Sequence, residues 1–186
     1  MGSCLEVLGR PRAAARGWTL VEIIIVLAMV GILVAAALPS FARMLVRRHL
    51  EGVAGQVSTD LQYLRSEAIA RNAAVRMRFV ATPAGTCYVI HTGTDQDCSC
   101  DASAANCRAG VVALRSAAFA AESPVQVLAN VDSIRVDPRH GTVSPTGTVR
   151  VVAADGTAVH HVVSVLGRVR TCSPGGLVPG VTACPS

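Results

Sequence analysis

Across residues 18–38 nearly every position is apolar, and the single charge in the run is Glu22. A membrane-spanning helix needs roughly 20 such residues. A secretory signal has an apolar core of only about 7–15, so the "AAA" at 35–37 is the weaker reading, a processing site. A plain anchor with its basic flank inside is another. Beyond Pro39 the pattern changes without stopping. Leu50, Val53, Val57, Leu61, Leu64 and Ala68 recur at three- and four-residue steps, one apolar stripe of a continuing helix. Arg47, Arg48, Glu51, Asp60, Arg65 and Arg71 fall on the other side and read as a solvated face. Pro39 softens the helix rather than ending it. The pattern predicts one helix over 18–72, with Asn72 at its end.

From Val75 the period shortens. "VRMRFV", "CYVIHT", "VVALRS", "VQVLA", "SIRVD", "TVRVVAA" and "AVHHVVSVLGRVR" are β-branched runs separated by Gly, Pro, Asp and Ser. "ADGT" at 154–157 and "SPTG" at 144–147 are turns between them. The polar segment 94–107 reads as a loop. The fold class predicted is α+β: a long N-terminal helix, apolar and then amphipathic, packed on a C-terminal antiparallel β domain.

Composition adds three things. All 17 basic residues are arginine, so every cation is a planar, permanently charged fork. Net charge is +5. Arg10, Arg12 and Arg16 less Glu6 give +2 before Trp18, which leaves +3 for the rest, a weak sign of a polyanionic partner. Of 7 cysteines, Cys4 precedes the apolar run, while Cys87, Cys98, Cys100, Cys107, Cys172 and Cys184 follow it. Those six fit disulfides in an oxidising compartment, with the pairing open.

Glu22 needs a partner, because an ionised group costs on the order of 2.5–3.5 kcal/mol at the centre of a bilayer and less near its edge. Cleavage after Gly17 would create one: the ammonium of Trp18, on a neighbouring copy. Here "RGWTLVEIIIVLAMVGILVAAALP" resembles the class III signal of type IV pilins and type II secretion pseudopilins. Gly17, Thr19, Leu20 and Glu22 match it, while Trp18 stands where Phe is usual. The resemblance implies a prepilin peptidase that cuts after Gly17 and methylates Trp18. It also implies assembly into a filament with other major and minor pilins. A second stretch, "DLQYLRSEAIARNAAVRMRF" at 60–79, is similar to the end of the first helix in the GspH/FimT group of minor pilins and pseudopilins. The implied domains are a leader over 1–17, a transmembrane and assembly helix over 18–38, its amphipathic half over 39–72, and a disulfide-bearing β domain over 73–186. The protein is expected in the bacterial inner membrane as a single-pass protein, with its C-terminal domain periplasmic, and then in the pilus.

Residues that could do chemistry are few. Cys87, Cys98, Cys100, Cys107 and His91 offer zinc-type donors, but the C-x-C spacing is tighter than zinc sites use, and cystines fit better. His91, Asp95 and Ser99 have the residue types of a triad without a nucleophile elbow. No phosphate loop or dinucleotide fingerprint occurs, so no enzyme, metal or cofactor is expected.

The informative segment is "LGRVRTCSPGGLVPGVTACPS" at the C-terminus. On a strand, Arg168 and Arg170 project from one face about 7 Å apart, near the spacing of phosphates. Gly167 allows a bend or a close approach. A Cys172–Cys184 cystine would hold the segment. Two arginines on an edge strand also simply discourage edge pairing. The Gly-Arg-x-Arg element, however, looks like the DNA-binding motif of FimT-type minor pilins of naturally transformable bacteria. That resemblance implies non-specific binding of double-stranded DNA by Gly167, Arg168 and Arg170, with Arg150 and then Arg135 and Arg139 extending the patch. The rival expectations are a GspH-type pseudopilin of type II secretion and a minor pilin that primes assembly or adhesion.

Overall fold

One helix, α1, spans Leu20–Arg71 in the computed structural model, which describes residues 18–101 and 104–185. Thr19 opens it, its Oγ1 accepting the Glu22 amide at 3.2 Å. Glu22 lies in the first turn, where the helix dipole favours an acid. At the other end Asn72 turns left-handed with φ 48°, and the Ala73 and Asn72 amides reach back to the Ala68 and Ile69 carbonyls. That pattern satisfies the last carbonyls of the helix.

The chain divides into two units, one through Ala42 and one from Arg43 onward. In the first, every described side chain is exposed, and the helix is long and apolar enough to cross a membrane. Pro39 is accommodated inside the helix.

Among its described residues the second unit holds the rest of α1 and eleven strands: β1 (Val75–Thr82), β2 (Gly85–Thr92), β3 (Cys98–Cys100), β4 (Ala105–Cys107), β5 (Ala113–Ala120), β6 (Val125–Ala129), β7 (Ser133–Val136), β8 (Val143–Ser144), β9 (Gly147–Ala153), β10 (Ala158–Val163) and β11 (Val169–Cys172). They form sheets of order β5-β2-β1-β7-β8 and β11-β10-β9-β6, plus the β3-β4 pair, and every pairing is antiparallel. The stripe from Leu50 to Ala68 is buried, and it shares one core with Val75, Met77, Tyr88 and Ile90 of the first sheet and Val127, Val149, Val151 and Val159 of the second. Each fully buried aliphatic contributes on the order of 1.5–3 kcal/mol. Among the described residues all buried apolar side chains lie between Leu50 and Val178, so the core of the unit from Arg43 onward is built without the apolar half of the helix.

Three expectations change. The segment 94–107 is not only loop: β3 and β4 pair within it, cross-linked by Cys98–Cys107 and tied to β2 by Cys87–Cys100. These cystines and Val89 form a small second cluster. The run "AVHHVVSVLGRVR" is two strands, not one, because it reverses at 164–168. Asp60 is not on a solvated face but 3% exposed.

Candidate functional site

The reversal between β10 and β11 positions the C-terminal arginines. Gly167 N donates to Ser164 O at 2.8 Å and closes a four-residue turn. Ser164 N donates to Arg168 O at 3.0 Å, and Arg168 N donates to Ser164 Oγ at 3.2 Å. Arg168 therefore belongs to the closing turn, one residue before β11, rather than to a strand. The Val143 amide of β8 donates to Val165 O at 2.8 Å and braces the tip.

Gly167 has φ +71°, a conformation that side chains resist. A Cβ there would also lie 3.1 Å from Gly141 O and 3.2 Å from Arg65 Cδ. The β7–β8 loop, with Arg139 and His140 exposed beside Gly141, thus passes directly against the turn.

Register fixes which side chains share a face. Arg170 pairs with Val162, which pairs with Thr148; Cys172 pairs with His160, which pairs with Arg150. Val149, Val151, Val159, His161 and Val163 point into the core, so Arg170, His160 and Arg150 point outward. Arg170 and Arg150 are two strands and two residues apart, roughly 12 Å by strand geometry. Burial first, then the Arg150 charge, pushes the His160 imidazole down from its ordinary value, so it adds no charge near neutral pH. The four strands of this sheet contain no Asp or Glu, and neither does the sequence from Gly156 onward. Among the described residues Arg150, Arg168 and Arg170 enter no ion pair, as is also true of Arg65, Arg78, Arg135 and Arg139, whereas Arg47, Arg48, Arg71, Arg76, Arg108 and Arg115 do. The result is a cationic stripe on an acid-free sheet. Arg135 lies elsewhere, on β7 opposite Arg76.

Cys172 and Cys184 are bonded, and the strap between them is fastened to the end of β11. Ser173 N donates to Thr182 O at 2.8 Å, Cys184 N to Ser173 O at 3.1 Å, and Ser173 Oγ to Ala158 O at 3.0 Å. Val178 of the strap is buried. Gly17 lies outside the described residues; Trp18 is 70% exposed. His91 is buried, with its Nδ1 2.8 Å from Thr92 O, while Asp95 bonds Arg76 and Ser133, so the triad residue types do not converge. Among the described residues no three metal-binding side chains gather.

Residues 53–167 match the family described as type II transport protein GspH. The chain belongs to that family. It is accordingly a minor type IV pilin or pseudopilin of the GspH family. The crystal structure of the type IV minor pilin FimU from Pseudomonas aeruginosa is similar at a TM-score of 0.49 and 20% identity, covering 73% of this chain and 96% of that one. No curated protein matches by sequence.

The match to the GspH family ends at Gly167, so Arg168, Arg170 and the C-terminal cystine lie beyond it. Within it lies a cluster that the sequence pattern did not reveal. Asp60 accepts from Tyr88 Oη and from Arg115 Nη1, both at 2.7 Å, and the Arg115 guanidinium lies 4.1 Å from the centre of the Tyr63 ring. Burial and then Asp60 push the Tyr88 phenol up, so it remains a donor. A lone polar position on a helix stripe gives no sign of such partners; only the proximity of β2 and β5 supplies them.

Proposed function

We propose that this chain is a minor pilin that binds double-stranded DNA non-specifically through Arg168, Arg170 and Arg150 and supports DNA uptake in natural transformation. The observation that carries this reading is the stripe of unpaired arginines on a sheet without carboxylates. Arginine forks bind phosphate oxygens, and such contacts give affinity without sequence preference. Gly167 serves by letting the turn close against Gly141 and Arg65. Affinity is expected to be roughly micromolar or weaker at physiological salt, as for other phosphate-dominated binding.

The rest of the reading concerns assembly. A prepilin peptidase removes residues 1–17, cutting after Gly17, and methylates Trp18. The apolar helix anchors the protein in the inner membrane, with residues 73–186 in the periplasm, and later joins other pilins in the filament through Glu22. Retraction then draws bound DNA towards the cell.

The test is a duplex-binding titration on residues 43–186 against salt. Wild type binds at low salt, with log K falling linearly against log salt. Arg168→Gln with Arg170→Gln makes the slope shallower by roughly 2, about 0.9 for each lost phosphate contact. No binding by wild type at low salt, or equal binding by the double variant, ends the DNA reading. The family description favours a second reading, a pseudopilin of type II secretion. That reading requires neither arginine and predicts wild-type secretion from the Gln variants.

A further inference from the structure

The tip of the β10–β11 hairpin carries residues that the arginines do not explain. Its two central positions are Val165 and Leu166, 56% and 64% exposed. Tight turns favour Gly, Asn, Asp, Ser and Pro there, because those residues suit the backbone and the solvent. In the described β region this is the one place where two adjacent large aliphatics stand out in solvent. The tip is also held in place. The Val143 amide bonds Val165 O, Gly167 N closes the turn, and the Gly141 carbonyl and Arg65 side chain crowd its base. A rigid apolar point therefore projects two residues ahead of Arg168.

What such a point fits is set by its surroundings. Arg168 and Arg170 follow on β11, Arg150 lies two strands away, and Arg139 is exposed on the loop against Gly167. Arg168, Arg170 and Arg150 run back from the tip across one face of the sheet, while Arg139 stands on the loop beside the base of the tip. A line of that kind matches a rod-shaped polyanion better than a flat anionic surface. A nucleic-acid duplex is such a rod, with phosphates outside and apolar base faces and thymine methyls within its grooves. Proteins that bind the minor groove of a duplex frequently insert apolar side chains between its base steps.

We propose that Val165 and Leu166 enter a groove of the bound duplex and contact its bases while Arg168 and Arg170 hold the neighbouring phosphates. This inference rests on the DNA reading above and adds a non-electrostatic part to it. Phosphate contacts set the salt slope, because each one releases counterions. Base contacts by aliphatic side chains release none. The two contributions therefore separate in one titration.

The experiment uses residues 43–186, wild type and Val165→Ser with Leu166→Ser, a labelled random-sequence duplex, and a series of low salt concentrations. Both side chains are exposed, so the substitutions leave the core intact, and circular dichroism checks this. The expected result is binding roughly ten-fold weaker at every salt concentration with an unchanged slope. Equal affinity of the two proteins overturns this inference and leaves the phosphate grip standing. A weaker variant with a shallower slope also overturns it, since the tip would then act only by holding the arginines. Phosphatidylglycerol vesicles form the last arm. Loss of vesicle binding with duplex affinity unchanged would assign the tip to a lipid surface and overturn the proposal. Failure of wild type to bind any duplex removes the DNA reading itself.

Discussion

His161 shows how a single side chain can set a stability limit for the whole β unit. It is 1% exposed on the inner face of β10, with Nδ1 3.0 Å from Thr171 Oγ1. Burial pushes its pKa down from 6.5 to about 4, although a backbone contact with Ala54 offsets part of that. The folded state therefore holds a neutral ring where the unfolded chain holds a protonated one. A depressed histidine leaves stability untouched above the unfolded pKa. Below it, the unfolded state gains protons that the folded state refuses, until the folded pKa is reached. Stability should fall as pH drops from 6.5 towards 4, by on the order of 3 kcal/mol in full. Urea midpoints of residues 43–186 at pH 7.5 and pH 5, taken before the carboxylates titrate, measure the early part of this loss. His161→Gln should flatten the difference between the two midpoints. An equally steep fall in that variant would assign the pH dependence to other groups. His160, one residue away, faces out and serves as the contrast: the same residue type with a smaller burial effect.

At the scale of elements, α1 is held on the first sheet by an apolar stripe and one polar pin. The pin is Asp60, reached by Tyr88 from β2 and Arg115 from β5. Asp60→Ala removes the buried carboxylate acceptor of the Tyr88 hydroxyl, leaving only the Gln56 amide beside it, and should cost about 1–3 kcal/mol. Adding Tyr88→Phe removes that donor, so the double variant should recover part of the loss. A double variant no more stable than Asp60→Ala in urea unfolding would show that the hydroxyl finds another partner. This pin also marks how far the sequence is legible. The stripe from Leu50 to Ala68 shows itself by period alone, because a helix repeats every 3.6 residues whatever it packs on. Asn72 was legible as a stop because few other residues adopt the left-handed turn without cost. Asp60 was not legible, since its acceptors' partners lie 28 and 55 residues away on strands. The β10–β11 hairpin was hidden for a different reason. "VVSVLGRVR" remains β-branched and apolar through the turn, and only Ser164 and Gly167, at the first and fourth turn positions, betray it. The β3–β4 pair was hidden by polar composition, since cystines rather than apolar side chains bind its strands together. Of the candidate site, residue types were legible and their common face was not, because the register linking Arg150 to β11 runs through β10.

For the whole molecule, the division at Ala42 separates two kinds of surface. The unit from Arg43 onward buries its apolar stripe within itself. The described helix before it leaves Ile23, Leu27, Leu33 and Leu38 exposed along its length, with Glu22 among them. Such a surface needs lipid or other copies of a similar helix. Lipid satisfies the aliphatic residues but does nothing for Glu22. On the proposed reading, processing after Gly17 gives Trp18 a free ammonium, and packing of neighbouring copies brings that charge to Glu22. The pair is then an assembly contact rather than a folding contact, because its two charges belong to different copies of the chain. Glu22→Ala should therefore leave cleavage, membrane insertion and the DNA affinity of the β unit unchanged, and should sharply reduce recovery of the protein in sheared filaments. Membrane and filament fractions probed in parallel, with mass spectrometry of the N-terminus, separate these steps. Wild-type recovery of the alanine variant in filaments, or a processed chain that begins anywhere other than Trp18, would remove the pairing and with it the physical reason for an acid in the apolar helix.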